Sequence, residues 1–199
     1  MKMKKLLIII LASAFFAACG GGGAGIGTTS TDSSLGKLAI QFKTVNSKVD
    51  VKKDFEPKKG GINAYLLNVD SKPIVQYVID LTDFESDVNP TKKPNDEKQT
   101  LITISLFGDS GATAETPLRT GTFELYPSFA TVDQKYSKIS NVATTTFKDG
   151  KTEEYSFITK ANGTIKINSV SGDAVSGEVD LSQENGGSIK GNFTARMKK

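Results

Sequence analysis

Apolar and polar residues alternate along much of the chain from residue 35 onward. Leu38, Ile40 and Phe42 form the first run, in which Ala39 and Gln41 are the intervening residues. Two further runs continue the pattern: Val75, Tyr77, Ile79 and Leu81, then Ile102, Ile104 and Leu106. A period of two is typical of strands with one face on the core and one face in water. The three runs therefore predict half-buried strands.

The C-terminal third of the chain adds turn signals between such runs. Asp149-Gly150 separates two strand-like segments, which is the strongest short hairpin signal. Asn162-Gly163, Gly172-Asp173 and Asn185-Gly186-Gly187 provide the next turns. Because short turns join antiparallel neighbours, we expect a C-terminal meander. Its expected inward residues are Ile165, Ile167, Val175, Val179, Leu181, Ile189, Phe193, Ala195 and Met197.

Taken together, the runs predict an all-β fold, an antiparallel β-sandwich or barrel of about ten strands. At most one short helix is expected, at Thr131-Val132-Asp133-Gln134, which has the pattern of a capping box and would place Val132, Tyr136 and Ile139 on one helical face. Two long polar segments, 84–98 and 108–120, flank the strand at 99–107 and should emerge at opposite ends of the sheet. Such long connections are either mobile surface loops or functional ones, and both interpretations stay open.

The N-terminus has the composition of an export signal. A basic start, Met1–Lys5, precedes 13 uncharged residues, Leu6–Ala18. This run is too short to span a bilayer, which takes about 20 apolar residues, and is typical of a cleavable secretory signal. Phe16-Ala17-Ala18-Cys19 resembles the lipobox of bacterial lipoproteins and contains the only cysteine of the chain. The resemblance implies that Cys19 is diacylated and becomes the new N-terminus; the alternative is cleavage after Ala14, which leaves a free thiol.

The predicted organisation is a signal peptide at 1–18, a lipidated Cys19 with a flexible tether at 19–34, and a single β domain at 35–199. The tether is made of small and polar residues, so its root-mean-square reach is about 20 to 24 Å. The second half of the chain also resembles β-rich lipoproteins of bacterial envelopes. The segments that carry this resemblance are Thr116–Phe123, Gly163–Ile165, Val175–Val179 and Ile189–Phe193. It implies a β architecture and residence in the cell envelope, expected here at the outer membrane of a diderm bacterium.

The charge balance changes once the signal is removed. The whole chain has 25 basic and 22 acidic side chains, and the signal holds three lysines and no acid. The mature chain is therefore neutral, with 22 side chains of each sign. A neutral domain without a basic cluster lacks the electrostatic footprint of a nucleic-acid-binding protein, so we expect no nucleic-acid partner.

The chain contains no histidine, which excludes Ser-His and Cys-His catalysis and the commonest metal ligand. The remaining candidate chemistry is a group of acids, Asp80, Asp83, Glu85 and Asp87, at a strand end. Oxygen ligands suit Ca²⁺, although the spacing is not that of an EF-hand. The alternative is that these carboxylates are simply solvated. No other cofactor is expected.

The sequence therefore predicts a lipid-anchored envelope protein with a non-catalytic binding or scaffolding role. Its partners would be the membrane, through the lipid on Cys19, and an unknown envelope protein or small ligand. The alternative is an envelope hydrolase or calcium-dependent module that uses the acids of 80–87.

Overall fold

The computed structural model describes residues 34–43, 50–87, 92–126 and 131–197, and it consists almost entirely of β-strands. The elements are β1 (Gly36–Lys43), β2 (Asp50–Phe55), β3 (Lys59–Val69), β4 (Lys72–Thr82), β5 (Thr100–Phe107), β6 (Gly121–Leu125), α1 (Val132–Lys135), β7 (Lys138–Lys148), β8 (Lys151–Ser156), β9 (Ala161–Ser171), β10 (Ala174–Gln183) and β11 (Ser188–Met197). The all-β prediction is confirmed, with eleven strands in this part of the chain rather than about ten.

Eight strands close into a barrel. Their order is β10-β9-β6-β7-β5-β4-β3-β11, and β11 pairs back with β10. The neighbours are antiparallel except at two corners, where β6 meets β7 and β11 meets β3 in parallel over two residue pairs each. The antiparallel prediction therefore holds for most of the sheet but not at these two corners. Closure satisfies the backbone groups that an open sheet would leave at its edges.

Three strands lie outside this ring, and the short parallel corners explain where they attach. β11 contacts β3 only at Arg196 and Met197, so its residues 188–193 are available to β1, which in turn pairs with β2. In the same way, β7 contacts β6 only at its first two residues, and β8 pairs with 143–148 of β7. β11 and β7 thus each change pairing partner along their length.

The core follows the predicted alternation. The predicted inward residues of β1, β4, β5 and β9 to β11 are buried, apart from Met197, which is half-buried. The side chains with the largest volume that are fully buried include Phe55, Phe123, Phe157 and Phe193. Burial of an aromatic or aliphatic side chain of this size contributes about 1.5 to 3 kcal/mol. One core cluster therefore contains side chains from every strand that the alternation identified, including β1, which lies outside the ring.

Three of the four predicted turns are confirmed. Asp149-Gly150 joins β7 to β8 with φ values of 49° and 77°, the backbone that a two-residue hairpin of type I′ requires. Gly172-Asp173 joins β9 to β10, and residues 184–187 join β10 to β11.

The fourth prediction, a turn at Asn162-Gly163, is wrong. Both residues lie inside β9, where Gly163 is the register partner of Leu181 on β10. A Cβ at Gly163, whose φ is +124°, would overlap the carbonyl oxygen of Asp180. The glycine is needed for close approach of two strands rather than for a turn. β9 consequently pairs with β6 and β10, not with β8, and the meander comprises β9 to β11 only.

The short helix forms at the predicted place. The Gln134 side-chain oxygen accepts a hydrogen bond from the Thr131 backbone N–H at 2.9 Å, as a capping box requires of its third residue. The helix ends at Lys135, and Ser137 follows with φ of +57°. Ile139, expected on the helix, therefore belongs to β7 instead.

The segment 108–120 lies at the surface, with 109–111 and 113–117 exposed, and is anchored to the barrel at a few positions. Leu118 is 2% exposed and joins the core. The Tyr77 hydroxyl donates to the carbonyl oxygen of Thr116 at 2.6 Å, and Arg119 Nε lies 2.9 Å from Asp109 Oδ1. In the segment 84–98, Phe84 and Pro94 are buried, while residues 88–91 lie outside the description.

The predicted signal peptide, Cys19 and most of the tether lie outside the described residues. Within the part of the chain that is described, no helix has the length and apolar character needed to cross a membrane.

Candidate functional site

A cleft of about 580 Å³ lies where the β8–β9 connection meets the turn between β10 and β11. Three short stretches of the chain contribute to it. Its lining residues are Glu154, Tyr155, Ser156, Thr159, Lys160, Gln183, Glu184 and Asn185.

The base of the cleft is aromatic. The ring of Tyr155, at the end of β8, stacks on Phe42 of β1, with centroids 4.7 Å apart and an interplanar angle of 26°. Phe157 meets the same tyrosine ring at 5.1 Å and 70°. Phe42 and Phe157 are almost fully buried, so they fix the tyrosine ring while its hydroxyl reaches the cleft. The three rings also connect β1 with β8 and with the residue that follows β8. Both β1 and β8 lie outside the barrel ring.

A hydrogen-bond network holds the polar groups of the cleft. The Tyr155 hydroxyl donates to Gln183 Oε1 at 2.7 Å and accepts from Asn185 Nδ2 at 3.1 Å. Gln183 Nε2 donates to the carbonyl oxygens of Ser156, at 3.2 Å, and Thr159, at 2.9 Å. Gln183 is 9% exposed and donates with both amide protons, so it links the end of β10 to the connection between β8 and β9. Because the partners in this network are all protein groups, the walls of the cleft are preorganised.

The rim of the cleft carries exposed charges. Glu154 and Glu184 are acidic and Lys160 is basic, which gives the lining a small negative excess. Such a rim disfavours anions and accepts neutral or cationic molecules. Beside the hydroxyl and amide groups that are bonded within this network, the lining carries the Thr159 hydroxyl, which can donate and accept hydrogen bonds. The chemistry that this arrangement supports is binding of a polar molecule.

Sequence reasoning missed this cleft. Asn185 was predicted only as a turn residue, and Tyr155 and Gln183 were not identified. One signal was present, because Gln183 continues the inward-facing series Val179 and Leu181. A polar residue at an inward position has to find hydrogen-bond partners, which is the property that places it at a site.

The first two predicted calcium ligands have partners of their own. Asp80 accepts a hydrogen bond from the Thr103 hydroxyl at 2.7 Å across β4 and β5. Asp83 lies 2.6 Å from Lys53 Nζ and accepts from the backbone N–H of Thr100 at 2.7 Å. Asp83 thus ties the end of β4 to β2 and to the start of β5.

The other two carboxylates point to separate cations. Glu85 lies 3.1 Å from Lys59 Nζ, and Asp87 lies 3.7 Å from Lys92 Nζ. No set of three or more Cys, Asp or Glu side chains in the described ranges converges on a position that could hold a metal ion. The structure therefore gives no support to the calcium assignment, which stays a prediction.

A second cavity, of about 180 Å³, lies beneath residues 114–117. Tyr77 forms part of its wall, and burial raises the pKa of this tyrosine, with a smaller contribution from the carboxylate of Asp109. The Tyr77 hydroxyl already donates to Thr116, so its protonated form is the one that the structure uses. This cavity is apolar at Ile62, Ala64 and Met197, and we assign it to packing at the barrel mouth.

No family model, no curated protein and no solved structure matches this chain.

Proposed function

We propose that this chain is a lipid-anchored cell-envelope protein whose β domain binds a small polar ligand in the Tyr155 cleft without catalysing a reaction. The observation that carries the proposal is the network of Tyr155, Gln183 and Asn185, built on two buried phenylalanines and facing an open cleft. Pockets with a few fixed polar groups on an apolar base are typical of ligand sites.

The anchoring half of the proposal depends on residues 1–34. The basic start, the short apolar run and Phe16-Ala17-Ala18-Cys19 support export and diacylation of the cysteine. Two acyl chains hold a protein on a membrane stably, whereas one chain gives only marginal binding. We place the protein on the outer membrane of a diderm bacterium. The small-residue segment that follows the cysteine would join the β domain to the lipidated Cys19.

Binding is favoured over catalysis by the chemistry of the side chains. The chain has no histidine to activate a hydroxyl nucleophile, and the proposed lipidation uses its one thiol. The acids proposed for the alternative, an envelope hydrolase or a calcium-dependent module, contact separate lysines or a threonine. No observation brings two of them together on one reacting bond.

The ligand experiment compares two neighbouring glutamates of β8. Glu154 lines the cleft, whereas Glu153 is also exposed and does not line it. Amino acids, short peptides and neutral saccharides are titrated into isotope-labelled protein, and amide shifts are followed by NMR. We expect a ligand to perturb residues 154–160 and 183–185, with affinity reduced by Glu154→Gln and unchanged by Glu153→Gln. Shifts that cluster elsewhere on the barrel would refute the assignment of the cleft.

The anchoring experiment uses metabolic labelling with a radioactive fatty acid and fractionation of the native cell. We expect the wild-type protein to take up the label and to stay with the membranes after carbonate washing. Cys19→Ala should lose both properties. Retention of the variant in washed membranes would refute lipid anchoring.

A further inference from the structure

The dipeptide Asn-Gly occurs twice in the chain, at Asn162-Gly163 and at Asn185-Gly186. Asparagine followed by glycine is chemically labile, because glycine has no side chain to shield its backbone nitrogen from the neighbouring side-chain amide. The first copy lies inside β9, whereas the second lies in the exposed turn between β10 and β11. The fold therefore places two chemically identical pairs in opposite backbone environments.

The turn at Asn185 leaves the reacting groups accessible to water. Asn185 and Gly186 are both exposed, and the position that a Cβ on Gly186 would take is open space. The Gly186 backbone N–H donates to the carbonyl oxygen of Gln183 at 3.0 Å, and this hydrogen bond has to open before the nitrogen can react. Opening of one exposed turn is a local event that costs less than opening of a core strand.

A second backbone group of the turn favours attack on the Asn185 side chain. The backbone N–H of Gly187 donates to Asn185 Oδ1 at 3.0 Å. This oxygen gains negative charge when a nucleophile adds to Cγ, so the donor is aimed at the atom where charge develops. The turn thus combines room, solvent and a hydrogen-bond donor at the reacting amide.

The copy in the strand is held by its neighbour. Asn162 and Gly163 pair with Ser182 and Leu181 of β10 in the antiparallel ladder. A Cβ at Gly163 would overlap the carbonyl oxygen of Asp180, so the backbone of β10 lies directly against this glycine. Movement of the Gly163 nitrogen toward the Asn162 side chain requires β9 to separate from β10 at this point. Separation of two paired core strands needs a larger opening than release of the turn.

We propose that Asn185 is a deamidation site of the folded protein and that the fold protects Asn162. The backbone nitrogen of Gly186 bonds to Asn185 Cγ, the Cγ–Nδ2 bond breaks, and ammonia leaves with the proton that the Gly186 nitrogen gives up. Water then adds across one of the two C–N bonds of the resulting succinimide, which yields aspartate or isoaspartate at position 185. Water is the co-reactant, and no atom is oxidised or reduced.

Deamidation removes a donor from the cleft network. Asn185 Nδ2 donates to the Tyr155 hydroxyl at 3.1 Å, and a carboxylate has no hydrogen to donate. The Tyr155 hydroxyl is then left with one proton for two acceptors, the new carboxylate and Gln183 Oε1. The lining also gains a negative charge in addition to those of Glu154 and Glu184. The reaction itself is independent of any ligand, whereas an effect on ligand affinity rests on the proposed function.

The first test follows both Asn-Gly pairs in one preparation of the full chain. The protein is incubated at mildly alkaline pH, either folded or unfolded in guanidinium chloride, and peptide mass spectrometry reports the conversion of each asparagine. We expect Asn185 to convert at least about tenfold faster than Asn162 in the folded chain, and both to convert at similar rates in the unfolded chain. Equal rates in the folded chain, or conversion of Asn185 in the unfolded chain only, would overturn the proposal.

The second test examines the consequence for the cleft. Asn185→Asp imitates the aspartate product, and Asn68→Asp adds the same charge at an exposed position of β3. We expect the side-chain amide signals of Gln183 in NMR spectra to shift in Asn185→Asp and in aged wild-type protein, and to stay in place in Asn68→Asp. Unchanged Gln183 signals in Asn185→Asp would show that the network does not depend on the Asn185 amide and would refute this consequence.

Discussion

Thr144 offers a test in which removing a polar group should stabilise the protein. This residue of β7 lies between its register partners Ile102 of β5 and Tyr155 of β8 and is 1% exposed. Its hydroxyl oxygen is buried and has no hydrogen-bond partner among the described residues. A buried polar group without a partner costs about 1 to 3 kcal/mol. Valine has nearly the same shape and an equally high strand propensity. We therefore expect Thr144→Val to raise the free energy of unfolding by about 1 kcal/mol.

Thr82 provides the matched control. It is also fully buried, but its hydroxyl donates to the carbonyl oxygen of Phe84 at 2.9 Å. Thr82→Val removes this hydrogen bond and leaves a carbonyl oxygen without its donor, so we expect a loss of about 1 kcal/mol or more. The same substitution at two buried threonines should thus have opposite signs.

The assay is urea unfolding of both variants and the wild type, with thermal unfolding as a second measurement. The midpoint should rise for Thr144→Val and fall for Thr82→Val with unchanged slopes, which shows that stability and not the compactness of either state has changed. For a domain of this size, 1 kcal/mol corresponds to a shift in Tm of about 2 to 4 °C. A loss of stability in Thr144→Val equal to that in Thr82→Val would refute the reasoning, because it would mean that the Thr144 hydroxyl has a partner.

Three further outcomes are expected. Phe193→Ala should cost about 3 to 5 kcal/mol in urea unfolding, because its ring is 1% exposed and packs over Gly177 on β10, and a loss below about 1 kcal/mol would refute its place in the core. The folded-state pKa of Tyr77 is raised, so its contribution to the free energy of unfolding is complete below about pH 10 and is lost as the pH rises through the folded-state pKa. Tyr77→Phe should therefore lower the free energy of unfolding at neutral pH but make its fall at alkaline pH shallower. An unchanged alkaline fall would contradict the raised pKa of Tyr77. Thermal unfolding should not respond to millimolar Ca²⁺ or to chelator, because Asp83 already pairs with Lys53, and a shift of several degrees that Asp83→Asn abolishes would restore the calcium site.

The strands could be predicted because their faces differ in solvent exposure. In β4, Val75, Tyr77, Ile79 and Leu81 are buried, as the alternation indicates. In β5 the prediction was less complete, because Ser105 and Phe107, which alternate with the predicted inward residues Ile104 and Leu106, are also buried. β5 lies between β4 and β7, and its outer face is partly covered by the cluster that includes Val132 of the helix. Alternation identifies a strand but does not show what covers its second face.

Turn chemistry was informative only where the local backbone decides the outcome. The hairpin between β3 and β4 uses Asp70 and Ser71, both at positive φ, with no glycine to announce it. In contrast, Asn162-Gly163 has the sequence of a turn and lies within a strand. In both cases the pairing of long strands on either side imposes the backbone, because the ladder gains more hydrogen bonds than one strained residue costs.

The Tyr155 cleft depends on the same long-range pairing, which is why no local pattern revealed it. Its residues come from 154–160 and 183–185. They meet because two strands change pairing partner along their length: β7 pairs first with β6 and then with β8, and β11 pairs first with β1 and then with β3. Those two exchanges bring Phe42 and Phe157 together, and the tyrosine ring lies against both. If β11 did not pair with β1, the ring would lose its contact with Phe42. If β7 did not pair with β8, Gln183 would lose the carbonyl groups of Ser156 and Thr159. The parallel corners that close the barrel are therefore also the cause of the cleft, and a substitution that weakens β1 pairing should reduce ligand affinity without touching the cleft.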